Sequence, residues 1–130
     1  MELLLDYPGY FAAAYPVCEG MHDSELTDAH IETLKKTPMW FTTAATDRTL
    51  PAPVNTIGTY DRLVKAGDER VLLTYYRDIH DLSGKYFDEE GKPYEYDGHW
   101  SWIHVYNNEN SAIIDGKKTT IMEWMAAQSL

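Results

Sequence analysis

Few residues of this chain could do chemistry, and they are scattered. Two histidines are followed directly by aspartate, His22-Asp23 and His80-Asp81, and Asp78 stands two places before the second pair. Histidine and carboxylate side chains ligate metals or exchange protons, so these pairs would suit a metal-dependent phosphohydrolase. Both pairs fall at loop or helix-start positions, where an aspartate more commonly caps backbone N–H groups. His80 with Asp81 is kept as the best pair for a small hydrolase, and no residue is assigned as catalytic. His99 and His104 flank Trp100-Ser101-Trp102-Ile103. On a strand they would point to opposite faces and could share an ion only across a bulge.

Cys18 is the only cysteine. It can form no internal disulfide and reads as a small buried residue; His22, four places on, is the only local hint of an activated thiolate. Glu89-Glu90 and the Glu95/Asp97 pair could serve as acid and base, although Glu89 and Glu90 fit the solvated tip of a hairpin. There is no dinucleotide-binding glycine run, phosphate-binding loop, His-Glu-x-x-His or Gly-x-Ser-x-Gly. No metal and no cofactor is expected.

What stands out is regional. Between Asp78 and Tyr106, acids alternate with aromatic rings, and Asp88, Glu89, Glu90, Tyr94, Glu95, Tyr96, Asp97, Trp100 and Trp102 form the candidate partner-binding surface. Rings can fill pockets on a partner while carboxylates meet its Arg and Lys.

These residues need elements to position them. Leu3–Leu5 suggests a short strand, and Asp6-Tyr7-Pro8 a helix start ended by Pro16. Residues 24–36 form a helix by spacing, with acids at its start and Lys35 and Lys36 at its end. Residues 39–46, 54–59 and 70–77 read as strands, with a short helix at 60–66 closed by Gly67. Tyr86–Tyr94 reads as a hairpin with Gly91 left-handed, Asp97-Gly98 as a turn, and His99–Tyr106 as an alternating strand. Residues 111–119 make a hairpin through Asp115-Gly116, and Thr120 with Glu123 caps a last helix. The expectation is one α+β domain over residues 1–130, a mostly antiparallel sheet of about five to six strands with two or three helices packed on one face.

Composition narrows the function. Acids number 21 against 11 Lys and Arg, giving a net charge of −10. That field disfavours direct binding to nucleic acid or an anionic membrane and attracts basic partners. No apolar run is long enough for a membrane span, and the start lacks the basic region of a signal peptide, so a cytoplasmic protein is expected. The favoured reading is a small acidic inhibitor that occupies the surface of a basic, nucleic-acid-binding protein target. A phage anti-defence (anti-CRISPR) protein or a toxin-immunity protein would have this profile. The alternatives are a small-molecule binder walled by Trp100, Trp102 and Tyr106, and the His80/Asp81 hydrolase. Trp124 and Met125 make a homodimer through the C-terminal helix conceivable.

Overall fold

In the computed structural model, which describes residues 1–130, strand β1 (Trp40–Ala44) is buried along its whole length. It pairs in parallel with β2 (Leu72–Tyr76), Trp40 opposite Leu72 and Ala44 opposite Tyr76. On its other side residues 14–18 run alongside it. Single parallel bridges join Ala14 to Met39 and Val17 to Thr42, and the Cys18 amide donates to the Thr42 carbonyl at 2.9 Å. A strand flanked on both edges and covered on both faces has no solvated side, so Trp-Phe-Thr-Thr-Ala needs no polar alternation.

The connection between β1 and β2 contains α3 (Thr56–Lys65), as a parallel crossover requires. Its buried residues are Thr56, Thr59 and Leu63, at helical spacing. With α1 (Glu2–Asp6) and α2 (Asp28–Leu34) it covers one core, built on Leu34, Met39, Phe41 and Leu63. A second core lies around Trp40, Val105, Ile121 and Trp124. It is closed by α4 (Trp102–Tyr106) and α5 (Ile121–Ala126). Two small antiparallel pairs complete the chain: β3 (Ile79–His80) with β4 (Glu95–Tyr96), and β5 (Ser111–Ile114) with β6 (Lys117–Thr120).

The expected five-to-six-stranded antiparallel sheet is therefore corrected. There are three two-stranded sheets, the central one parallel, with five α-helices rather than two or three. Leu3–Leu5 lies in helix α1, not a strand, and the helix expected after Asp6 is irregular chain. Residues 56–59 begin α3 instead of forming a strand. His99–Tyr106 is a 3-10 turn (Gly98–Ser101) running into α4. The buried positions there are Ser101, His104 and Val105, a helical spacing that their mixed polarity hides from an apolar count.

Other expectations match. The strands at 39–46 and 70–77 contain β1 and β2. Asp115 and Gly116 both take positive φ, 51° and 77°, as a type I′ turn needs. The Thr120/Glu123 capping box is present on α5. Gly91 has φ 79° beneath a Phe87–Pro93 bridge. No helix is long and apolar enough to cross a membrane.

Candidate active site

Segment 14–18 and strand β1 run in the same direction, so the residues that follow them emerge at one edge. In parallel sheets that edge is where ligands sit. Here it brings together Cys18, Asp47 and His99, with one ligand atom from each lying within 4.8 Å of the others.

Asp47 follows β1 by three residues. Its side chain is fully buried and both of its carboxylate oxygens are hydrogen-bonded. Oδ1 accepts from the amides of Thr49 at 2.9 Å and Leu50 at 2.8 Å. Oδ2 lies 3.1 Å from His99 Nδ1. An ionised carboxylate only accepts, so the Nδ1 proton points at Asp47 and the lone pair of the ring is on Nε2. The imidazole itself stays about one-third exposed.

His99 is fixed at three points. Its amide donates to Asp97 Oδ1 at 2.9 Å, the side chain capping the 3-10 turn. Its ring is held by Asp47. Its carbonyl lies 3.2 Å from Cys18 Sγ. Gly98 lets this turn sit directly on the strand exit: a Cβ there would come within 2.3 Å of the Asp47 amide nitrogen, so no larger residue fits without moving backbone.

Cys18 has φ 45°, an uncommon value for a residue with a side chain. Its sulfur is also 3.1 Å from Ser101 Oγ. Burial pushes the thiol up to about 11, and the neighbouring Asp47 carboxylate adds to the rise. It is thus a thiol, bonded under the His99 turn, and not a thiolate aimed at the ring. Cys, Asp and His could in principle share a soft divalent ion. Asp47 Oδ1 is held by two backbone amides and Oδ2 faces His99 Nδ1, an arrangement suited to proton transfer at the ring.

The pairs expected from sequence lie elsewhere. His80 Nδ1 bonds Asp78 at 2.8 Å rather than Asp81. Asp81 accepts from Ser83 Oγ and from the Lys85 amide, as a capping group does. Ser24 Oγ reaches His22 Nδ1 at 2.7 Å, but Asp23 approaches the same nitrogen at 3.3 Å, so no relay through the ring results. His104 is buried with Nδ1 on Glu109 at 2.7 Å.

Of the candidate partner-binding residues, Tyr94, Tyr96, Trp100 and Trp102 are brought together. Their ring centroids follow one another at 5.0, 5.8 and 5.8 Å, and Tyr106 extends the row at 6.1 Å. Asp88, Glu89 and Glu90 stay apart on the exposed turn, where Asp88 Oδ1 holds the Glu90 and Lys92 amides. Glu95 faces His80 Nε2 at 3.7 Å, and Asp97 is the cap described above. Beside the row opens a cleft of about 930 Å³, with Tyr94, Tyr96 and Trp100 among its lining residues. Trp124, in contrast, is buried edge-on against Trp40 of its own chain at 5.7 Å.

Asp47 was not singled out from sequence, and 52 residues separate it from His99. The only local signal is an aspartate just past a buried strand.

No protein-family model matches the chain, and no curated protein matches it. Among solved structures it is similar to one described as a thermostable esterase. The TM-score is 0.64 and the identity 26%, over 98% of this chain and 27% of the other. The chain thus spans about a quarter of that protein's length.

Proposed function

We propose that this chain carries the acid–base side of an ester hydrolase site, with His99 as general base and acid and Asp47 as its positioning partner. One observation carries the reading: a fully buried carboxylate bonded to Nδ1 of a histidine whose ring stays about one-third exposed. The similarity to an esterase supports it.

Nε2 removes the proton from the attacking hydroxyl as its oxygen bonds to the ester carbonyl carbon. Asp47 stabilises the imidazolium so formed. When the C–O bond to the alcohol breaks, the same proton passes from Nε2 to the leaving oxygen. Cys18 does not fill the role of nucleophile, being protonated and bonded to a backbone carbonyl. The attacking oxygen is assigned to water or to a hydroxyl from polypeptide outside these residues, in keeping with a chain matching about a quarter of the esterase.

The test is hydrolysis of p-nitrophenyl acetate by the native protein. His99→Gln and Asp47→Asn each lower kcat/KM by roughly 10²–10⁴-fold, and His80→Gln leaves it unchanged. Full activity in His99→Gln would overturn the assignment, and loss in His80→Gln would move the chemistry to the Asp78/His80 pair. The inhibitor reading remains a separate proposal carried by the net charge of −10. Salt-sensitive, near-stoichiometric capture of one basic protein would support it.

A further inference from the structure

We infer that the cleft lined by Trp100 binds a neutral carbohydrate, so that the ester hydrolysed is an acylated sugar; the second half of this inference rests on the hydrolase reading above. The cleft is lined by the rings of Tyr86, Phe87, Tyr94, Tyr96 and Trp100. Four of these five rings are about half-exposed, among them Trp100 at 47% and Tyr94 at 46%. Tyr96 and Trp100 lie nearly parallel, at 19°. An apolar acyl chain would want a uniformly apolar lining. This lining instead mixes the rings with Asp81, Ser83, Lys85, Asn107 and Glu109.

A cation is also a poor fit. Glu109 is engaged by His104 at 2.7 Å, Asp81 is occupied by Ser83 and two backbone amides, and Lys85 brings positive charge. What remains on offer is ring faces beside Asn107, the already-engaged Asp81, Ser83 and Glu109, and the Lys85 ammonium. The C–H face of a pyranose carries slight positive charge and packs on the electron-rich ring face, while its hydroxyls bond to the rim. Trp102 and Tyr106 continue the aromatic row beyond the cleft, so an oligosaccharide has ring contacts past its first unit. His99 directly precedes Trp100, so the base stands one residue along the chain from a wall of the cleft.

The experiment is a tryptophan-fluorescence and calorimetric titration of the native protein carrying His99→Ala, so that binding is read without turnover. The probes are xylotriose, cellotriose, ferulate and tetramethylammonium. Saturable binding of either trisaccharide is expected, weakened at least tenfold by Trp100→Ala and unchanged by Tyr10→Ala, an exposed tyrosine outside the cleft. Circular dichroism confirms that Trp100→Ala is folded. Binding of ferulate or the ammonium ion alone, binding of none, or trisaccharide affinity unaffected in folded Trp100→Ala would overturn the inference. Because no step depends on catalysis, carbohydrate binding with no esterase activity would retain the cleft and reject the hydrolase reading.

Discussion

At the scale of single residues, Cys18 and His99 show how one contact sets two chemistries. The thiol donates to the His99 carbonyl, so the proton that holds the turn is the proton a nucleophilic cysteine would have to lose. Burial keeps it in place well above neutral pH. The native thiol therefore reacts with iodoacetamide at pH 7 more than about tenfold slower than in the unfolded chain, since the thiolate is the nucleophile. Cys18→Ser retains a donor toward the same carbonyl and keeps ester hydrolysis within about threefold of wild type, since deleting a general acid–base group would cost far more. Rapid alkylation that abolishes activity would make Cys18 the nucleophile. Sequence offered His22 as the partner of this cysteine. The actual neighbours, Asp47 and Ser101, are brought in by folding, and no spacing rule links positions so far apart.

At the scale of elements, legibility followed local chemistry. The β5–β6 hairpin and the α5 start are encoded by contiguous residues, Asp115-Gly116 and Thr120 with Glu123, whose side chains and backbone freedom act within a turn. The first turn of α3 and the whole of α4 read as strand because their buried stripes use Thr56, Thr59, Ser101 and His104, which an apolar count passes over, whereas the second half of α3 matches the short helix expected at 60–66. The parallel pairing of β1 and β2 depends on the crossover, and once 56–59 is read as a strand that crossover disappears. The candidate site inherits the same blindness, because His99 faces Asp47 only when residues 98–101 form a turn rather than an extended strand. Gly98 is where strand exit and turn touch. Gly98→Ala must push the Asp47 amide away, so kcat/KM drops at least tenfold, an effect of the size that small misplacements cause. The protein still folds, with a stability loss of about 1–3 kcal/mol from overpacking. An unchanged rate would show that the turn tolerates displacement. Farther off, Trp124→Ala empties the edge-on contact with Trp40 and costs about 3–5 kcal/mol in chemical denaturation, while size-exclusion elution stays as in wild type because this ring is an intramolecular contact.

At the scale of the whole molecule, several wholly or partly buried groups tie stability to pH in the same direction. Glu19 is buried, and burial raises its carboxyl above the ordinary value despite bonds from the Met21 amide and Thr59. Cys18 is raised from 9.0 to about 11 and Tyr76 from 10.0 to about 12, both chiefly by burial, with Glu109 adding to the latter. For each, the folded protein holds its proton at a pH where the unfolded chain has released it. The folded state then binds more protons, so stability falls as pH rises through the window between the unfolded and folded values. For Cys18 and Tyr76 that window runs from about 9 to about 12, and urea midpoints therefore decline steeply across it. The double variant Cys18→Ser/Tyr76→Phe removes both protons from the balance, so its midpoint declines less between pH 9 and 11 whatever its starting stability. Glu19 acts in the acidic range, where Glu19→Gln gains on wild type as pH rises above the normal glutamate value. An alkaline limb of equal slope in wild type and the double variant would mean that these groups ionise no later in the folded protein than in the unfolded chain. The Cys18 thiol would then be free to ionise beneath the His99 turn, and the argument against it as nucleophile would fail with it.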